Sequence, residues 1–168
     1  MKRFVLLLLL VVVFIFSAYS SYSPWALFEL GCNTIFYDST SWPTVSYGIE
    51  ASLLSFSFNN WTVASPVKLE SVTASLPKNG TLTMDHTKIK LGLGGGYQNK
   101  LLFLSMYFYL GFVDYRDLGG VGREYALSLT PGLILQEHLA LLFPITYSFS
   151  EYYPSLNFKI ALKMGGKI

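Results

Sequence analysis

Any chemistry this chain performs must be built from two histidines, His86 and His138, one cysteine, Cys32, and a small set of lysines and carboxylates. A nucleophile and its base must lie within hydrogen-bond reach. His138 stands between Glu137 and Leu139, and neither is a nucleophile. His86 stands between Asp85 and Thr87, but in an extended segment neighbours in sequence point to opposite faces, so neither serves it. One cysteine and two histidines supply no cluster with metal-ligand spacing. A single cysteine also forms no internal disulfide, and Cys32 reads as a small apolar strand residue. Gly94-Gly95-Gly96 is not a phosphate loop, because no Lys-Ser/Thr pair and no helical pattern follow it. Bare backbone against which side chains pack is the expectation there. The reading is therefore no enzyme, no cofactor and no metal. What remains is Glu29, Glu50, Lys88, Lys90, Lys159 and Lys163, each on the polar parity of an alternating segment. Such a set either lines a narrow pore or forms a satisfied network that plugs one. Glu29 and Lys163 are expected to pair, with Tyr107 and Tyr109 filling space beside them.

The elements that must position these residues follow from composition and periodicity. Of 168 residues, 52% are apolar, 17% aromatic and 13% charged, with a formal net charge of +2. Soluble domains carry about 25% charged residues. The low charge and high aromatic content exclude a disordered chain, and the absence of a Lys/Arg cluster excludes a nucleic-acid binder. Lys2 and Arg3 precede thirteen apolar residues, Phe4 to Phe16, and then Ser17-Ala18-Tyr19-Ser20. That order reads as a secretory signal peptide over residues 1–20, cleaved after Ser20. A spanning helix needs about 20 apolar residues, so thirteen is short. Residues 21–168 form one domain, in which acidic and basic residues balance at ten each.

The body alternates with period two. Phe158, Ile160 and Leu162 fall on one face and Lys159 and Lys163 on the other. Leu141 and Phe143, Leu127 and Leu129, Leu91 and Leu93, and Phe28 and Leu30 sit on the apolar parities of their own segments. Turn signals divide the chain into eight predicted strands: 25–37, 44–58, 61–76, 81–97, 101–115, 124–135, 138–150 and 155–168. Parity switches before Val72, which predicts a bulge there, and another parity slip falls at Leu53–Leu54. The stretch 101–115 is apolar on both faces, and its orientation stays open.

Alternation alone does not choose between a soluble barrel with an apolar interior and a membrane barrel with an apolar exterior. Three features favour the membrane. The apolar sets carry no charge through their central stretches, as a lipid-facing surface requires. The opposite sets are small and polar, which suits the interior of a narrow eight-stranded barrel. Aromatic residues gather near strand ends, among them Trp25, Phe36, Trp61, Tyr97, Tyr125, Phe149 and Tyr153, as in interfacial girdles. The expected fold is all-β, a closed up-and-down antiparallel eight-stranded transmembrane barrel. Closure is required, because an open edge in hydrocarbon leaves backbone groups unpaired.

On these features residues 22–168 resemble the small eight-stranded bacterial outer-membrane barrels, the class of OmpX, OmpW and the transmembrane domain of OmpA. The resemblance implies an exported outer-membrane protein, surrounded by outer-membrane lipid and inserted as a monomer by the barrel assembly machinery. Such families commonly end in an aromatic residue; here the last residue is Ile168, apolar and of matching parity. The function expected is structural, with a filled polar lumen. A lipocalin-like soluble barrel holding an apolar ligand, and a narrow pore for ions or small solutes, are the alternatives.

Overall fold

A period-two distribution of Val, Ile, Leu, Phe and Tyr offers a helix no apolar stripe, and it fits the pleat of a strand. The computed structural model describes residues 21–37, 40–77, 81–115, 120–150 and 153–166. The expected signal peptide lies outside them. The described elements are ten strands: β1 (Ser21–Tyr22), β2 (Trp25–Tyr37), β3 (Thr40–Phe58), β4 (Trp61–Pro77), β5 (Thr81–Gln98), β6 (Leu102–Tyr115), β7 (Gly120–Gln136), β8 (Leu139–Leu142), β9 (Ile145–Ser150) and β10 (Pro154–Gly165). β8 and β9 are two halves of one barrel strand, parted at Phe143-Pro144, where proline has no N–H to give the ladder. The Phe143 N–H still donates to the Pro131 carbonyl at 2.8 Å, and the Pro144 carbonyl accepts from Lys159 N–H at 3.0 Å. The wall therefore stays joined to both neighbours across the break.

From β2 onward, with β8 and β9 taken as one strand, each strand pairs antiparallel with the next in sequence, and β10 returns to β2 over Ser155↔Ile35 to Gly165↔Trp25. That last ladder closes an up-and-down barrel of eight strands, as the sequence predicts. β1 is a two-residue addition to β3, pairing Ser21↔Ser57 and Tyr22↔Phe56. The closure is directly testable. Cys32 lies opposite Phe158 across the β2–β10 seam, and both point outward. Under mild oxidation, Phe158→Cys is expected to form a disulfide with Cys32. Ile160→Cys, whose ladder partner is Leu30, is not. Non-reducing gels of the folded protein separate the two results, and an equal yield from both variants would contradict the register.

Two boundaries and one bulge differ from the sequence reading. β3 begins at Thr40 rather than 44, and β7 at Gly120 rather than 124, because each hairpin ladder runs further than the turn residues suggest. The parity slip at Leu53–Leu54 is a register irregularity in the ladder: the β3–β4 register shifts between Ala51 and Leu54, both leucines point outward, and the Ser52 hydroxyl donates to the Leu54 carbonyl at 3.0 Å. No bulge accompanies Val72. The β4–β5 ladder keeps one register throughout, and Val72 simply points inward, opposite the buried His86.

The faces follow from this register. Phe28, Leu30, Leu91, Leu93, Leu127, Leu129, Phe143, Phe158, Ile160 and Leu162 are exposed on the outside, with Leu141 half-buried on the same side. Ile160 is 60% exposed, whereas its neighbour Lys159 is 4% exposed. A soluble barrel built around an apolar ligand requires the opposite arrangement. In β6 the open question resolves with Leu104, Met106, Phe108, Leu110 and Phe112 outside, and Phe103, Tyr107 and Tyr109 inside. Phe36, Trp61, Tyr97, Tyr125 and Phe149 are exposed on the outer surface, as girdle residues would be, but Trp25 and Tyr153 are not; both are buried inside the barrel. Their parity is that of Leu27 and of Ser155, both inward, which overrides the tendency of aromatics to collect at interfaces.

Candidate functional site: a charged lumen

A narrow barrel must fill its own interior, and the inward residues here arrange that filling in layers. In the middle lie four glutamates and four lysines from six strands. They form an unbroken alternating chain. Glu50 faces Lys68 at 3.6 Å, Lys68 reaches Glu29 at 2.7 Å, and Glu29 meets Lys159 at 2.5 Å. Lys159 then meets Glu70 at 2.5 Å, Glu70 faces Lys90 at 3.1 Å, Lys90 pairs with Glu124, and Glu124 closes on Lys88 at 2.8 Å. Every member is buried. An isolated buried charge costs several kcal/mol even after relaxation, so such a set persists only when each charge is paired and hydrogen-bonded. The three inner carboxylates, Glu29, Glu70 and Glu124, bridge two ammonium groups each. The Tyr109 hydroxyl donates to Glu50 at 3.0 Å and terminates the chain at that end.

Small residues make the crossing of the lumen possible. Gly31 is the ladder partner of Lys159, and a Cβ there would lie 2.7 Å from the lysine Cγ. Gly94 plays the same part for an aromatic ring: a Cβ would lie 2.7 Å from Tyr107 Cδ1. The glycine run of β5 is thus the bare backbone the sequence predicts, and it receives β6 side chains.

Below the charged layer, toward the end that holds Ser21 and Gly165, the interior turns apolar. Trp25, Leu27, Phe103, Tyr107, Leu142 and the alanines Ala64, Ala126, Ala140 and Ala161 form one buried cluster there. The Trp25 and Tyr107 rings pack at 6.3 Å, and Tyr107 and Tyr109 at 6.1 Å. Toward the opposite end, His86 and Tyr153 share a hydrogen bond and an edge-to-face ring contact at 5.5 Å, with Val72 and Val113 also buried. The ion pairs therefore occupy the centre, with aromatic groups buried toward both ends.

All six candidate residues, Glu29, Glu50, Lys88, Lys90, Lys159 and Lys163, are buried inside the barrel. Five join the chain of ion pairs. Lys163 does not, and its expected pairing with Glu29 is absent; Glu29 is taken by Lys68 and Lys159. The Lys163 ammonium instead lies 4.7 Å from the Phe103 ring centre and 5.5 Å from that of Trp25. Three members of the chain, Lys68, Glu70 and Glu124, were not foreseen. Lys68 and Glu70 share the inner parity of Thr62 and Ala64, and Glu124 shares that of Ala126 and Ser128, so alternation contained them. Among the described residues no cluster of His, Cys, Asp and Glu could hold a metal ion.

No protein-family model matches the chain, and no curated protein matches it in sequence. Solved structures do match in fold. Neisserial surface protein A (NspA) superposes with a TM-score of 0.52 at 13% identity, over 86% of this chain and 97% of that one. Ail, the attachment invasion locus protein of Yersinia pestis, in complex with the heparin analogue sucrose octasulfate, gives 0.60 at 9% identity, over 88% and 100%. A second structure of Ail gives 0.56 at 8% identity, over 88% and 99%. At such identities the likeness is one of fold, and the chain has the fold of the small eight-stranded outer-membrane β-barrels.

Proposed function

We propose that the protein is an integral outer-membrane barrel that serves as a closed, internally cross-linked membrane anchor, holding its inter-strand connections at the end away from the termini. It performs no enzymatic step and takes no cofactor. Acyl chains of outer-membrane lipid cover the belt that includes Phe28, Leu93, Phe158 and Ile160, and the barrel assembly machinery inserts the monomer. The observation that carries this reading is the unbroken chain of seven ion pairs spanning the lumen from Glu50 to Lys88. A conducting lumen presents charges to water; this one spends its charges on each other, so an ion entering must break pairs that the low-dielectric interior holds tightly.

The test uses the purified protein in two formats. In detergent gels the folded barrel is expected to migrate differently from the heat-denatured chain, and extraction from membranes by carbonate alone would instead favour a soluble protein. In planar bilayers the protein is expected to be electrically silent. Discrete conductance steps whose ion selectivity changes in Lys163→Glu would replace the anchor by the narrow-pore reading.

A further inference from the structure

Among the described residues the charge in the lumen does not balance. Five buried lysines, Lys68, Lys88, Lys90, Lys159 and Lys163, face four buried glutamates, Glu29, Glu50, Glu70 and Glu124. The first four lysines share all four carboxylates among themselves. The surplus falls on Lys163, which is 3% exposed and has no carboxylate within ion-pair distance among the described residues. Ring faces of Phe103 and Trp25 offset only part of the cost of burying an ammonium group.

A cavity lies beside it. Its walls include Lys163, Trp25, Phe103, Ser105, Tyr107 and Glu50. It holds free space for at least one small guest. Two buried donors of the same wall residues, Trp25 Nε1 and Ser105 Oγ, have no hydrogen-bond partner. Two carboxylates in the wall, Glu29 and Glu50, would repel an anion, but both are already engaged: Glu50 by the Tyr109 hydroxyl at 3.0 Å and by Lys68 at 3.6 Å, Glu29 by Lys68 at 2.7 Å and by Lys159 at 2.5 Å.

We propose that this cavity is a binding site for one small inorganic anion such as chloride, held by the Lys163 ammonium with the Trp25 and Ser105 donors. The anion would offset the one positive charge that the four described glutamates leave unmatched. It is the ligand class that one surplus cation and two unpaired donors in the wall of one cavity select. The site is independent of whether the barrel conducts.

Trp25 supplies the readout, because bromide quenches indole fluorescence on contact. A variant carrying Trp42→Phe and Trp61→Phe leaves Trp25 as the only indole. It is refolded in detergent micelles in sodium gluconate and titrated with sodium bromide at constant ionic strength. The expected result is saturable quenching, reversed by sodium chloride, and reduced at least tenfold in apparent affinity by Lys163→Met. A linear, unsaturable response, the behaviour of a cavity holding water alone, would overturn the proposal. So would equal quenching with and without Lys163→Met. If that variant does not fold, the parent titration decides by its saturation and its reversal by chloride. A second measurement needs no substitution: the unaltered protein is expected to unfold at a higher temperature in chloride than in gluconate of equal ionic strength, and identical midpoints count against the site.

Discussion

Glu29→Gln is expected to destabilise the folded barrel by about 3–5 kcal/mol, the range seen when one partner of a buried ion pair is removed. Glu29 is 0% exposed, and its two oxygens hold Lys68 at 2.7 Å and Lys159 at 2.5 Å. An amide keeps the shape but removes the charge, so two ammonium groups at the centre of the lumen lose their shared counter-charge. Lys68 retains only the longer contact to Glu50, and Lys159 retains only Glu70, which Lys90 also claims. The measurement is the urea midpoint of gel-shift unfolding in micelles. Glu137→Gln, an exposed turn carboxylate, serves as control and should stay within about 0.5 kcal/mol of the parent. The double variant Glu29→Gln with Lys159→Met removes one charge of each sign. It is expected to lose less than the two single losses combined, because residues in one network couple. A Glu29→Gln barrel as stable as the control would mean that the chain of ion pairs does not hold the lumen together.

The wall of this barrel was legible because its determinant is local. A strand between lipid and a packed interior must alternate, so Phe158, Lys159, Ile160 and the like declare their faces within a few residues. Closure then follows from backbone hydrogen bonding alone. The partners inside were not legible, because they are fixed across the lumen rather than along the chain. Glu29 sits opposite Ala161 in the β2–β10 ladder, with Lys159 two residues to one side and Lys163 two residues to the other. Parity and ladder distance rank the two lysines equally. What separates them is the neighbourhood: Glu70 of β4 and Lys68 approach on the Lys159 side, while Trp25 and Phe103 occupy the Lys163 side. Lys68 and Glu70 were missed for a different reason. The inward Val72 looked like a change of face, and the bulge inferred from it obscured the parity of the residues before it. An apolar residue inside a polar lumen breaks the pattern without any break in the ladder. Glu124 was missed because it stands at the first position of the predicted strand 124–135, where a charge reads as a strand end, although β7 already begins at Gly120.

The outward face yields the other large expected effect. Ile160→Arg should cost about 2–4 kcal/mol in lipid vesicles, the depth-dependent penalty for an arginine near the bilayer midplane. Ile160 lies midway along β10, opposite Leu30 at the middle of β2, and both are more than half exposed on the outer surface. Leu101, at the turn between β5 and β6, is exposed to a similar degree but sits at the end of the wall. Leu101→Arg is expected to cost only about 0–1 kcal/mol, because an arginine there reaches the interface. The comparison isolates the medium, since both substitutions place the same charge on an exposed leucine or isoleucine of the same barrel. In water the two would be nearly equal and small. Equal, small costs in vesicles would therefore remove lipid from around Ile160, and with it the assignment of this surface to the membrane. A large cost at Ile160 alone sets the hydrocarbon boundary on the same residue pair that divides the two faces. One residue away, Lys159 carries a charge without penalty because it points to Glu29 and Glu70 rather than to acyl chains.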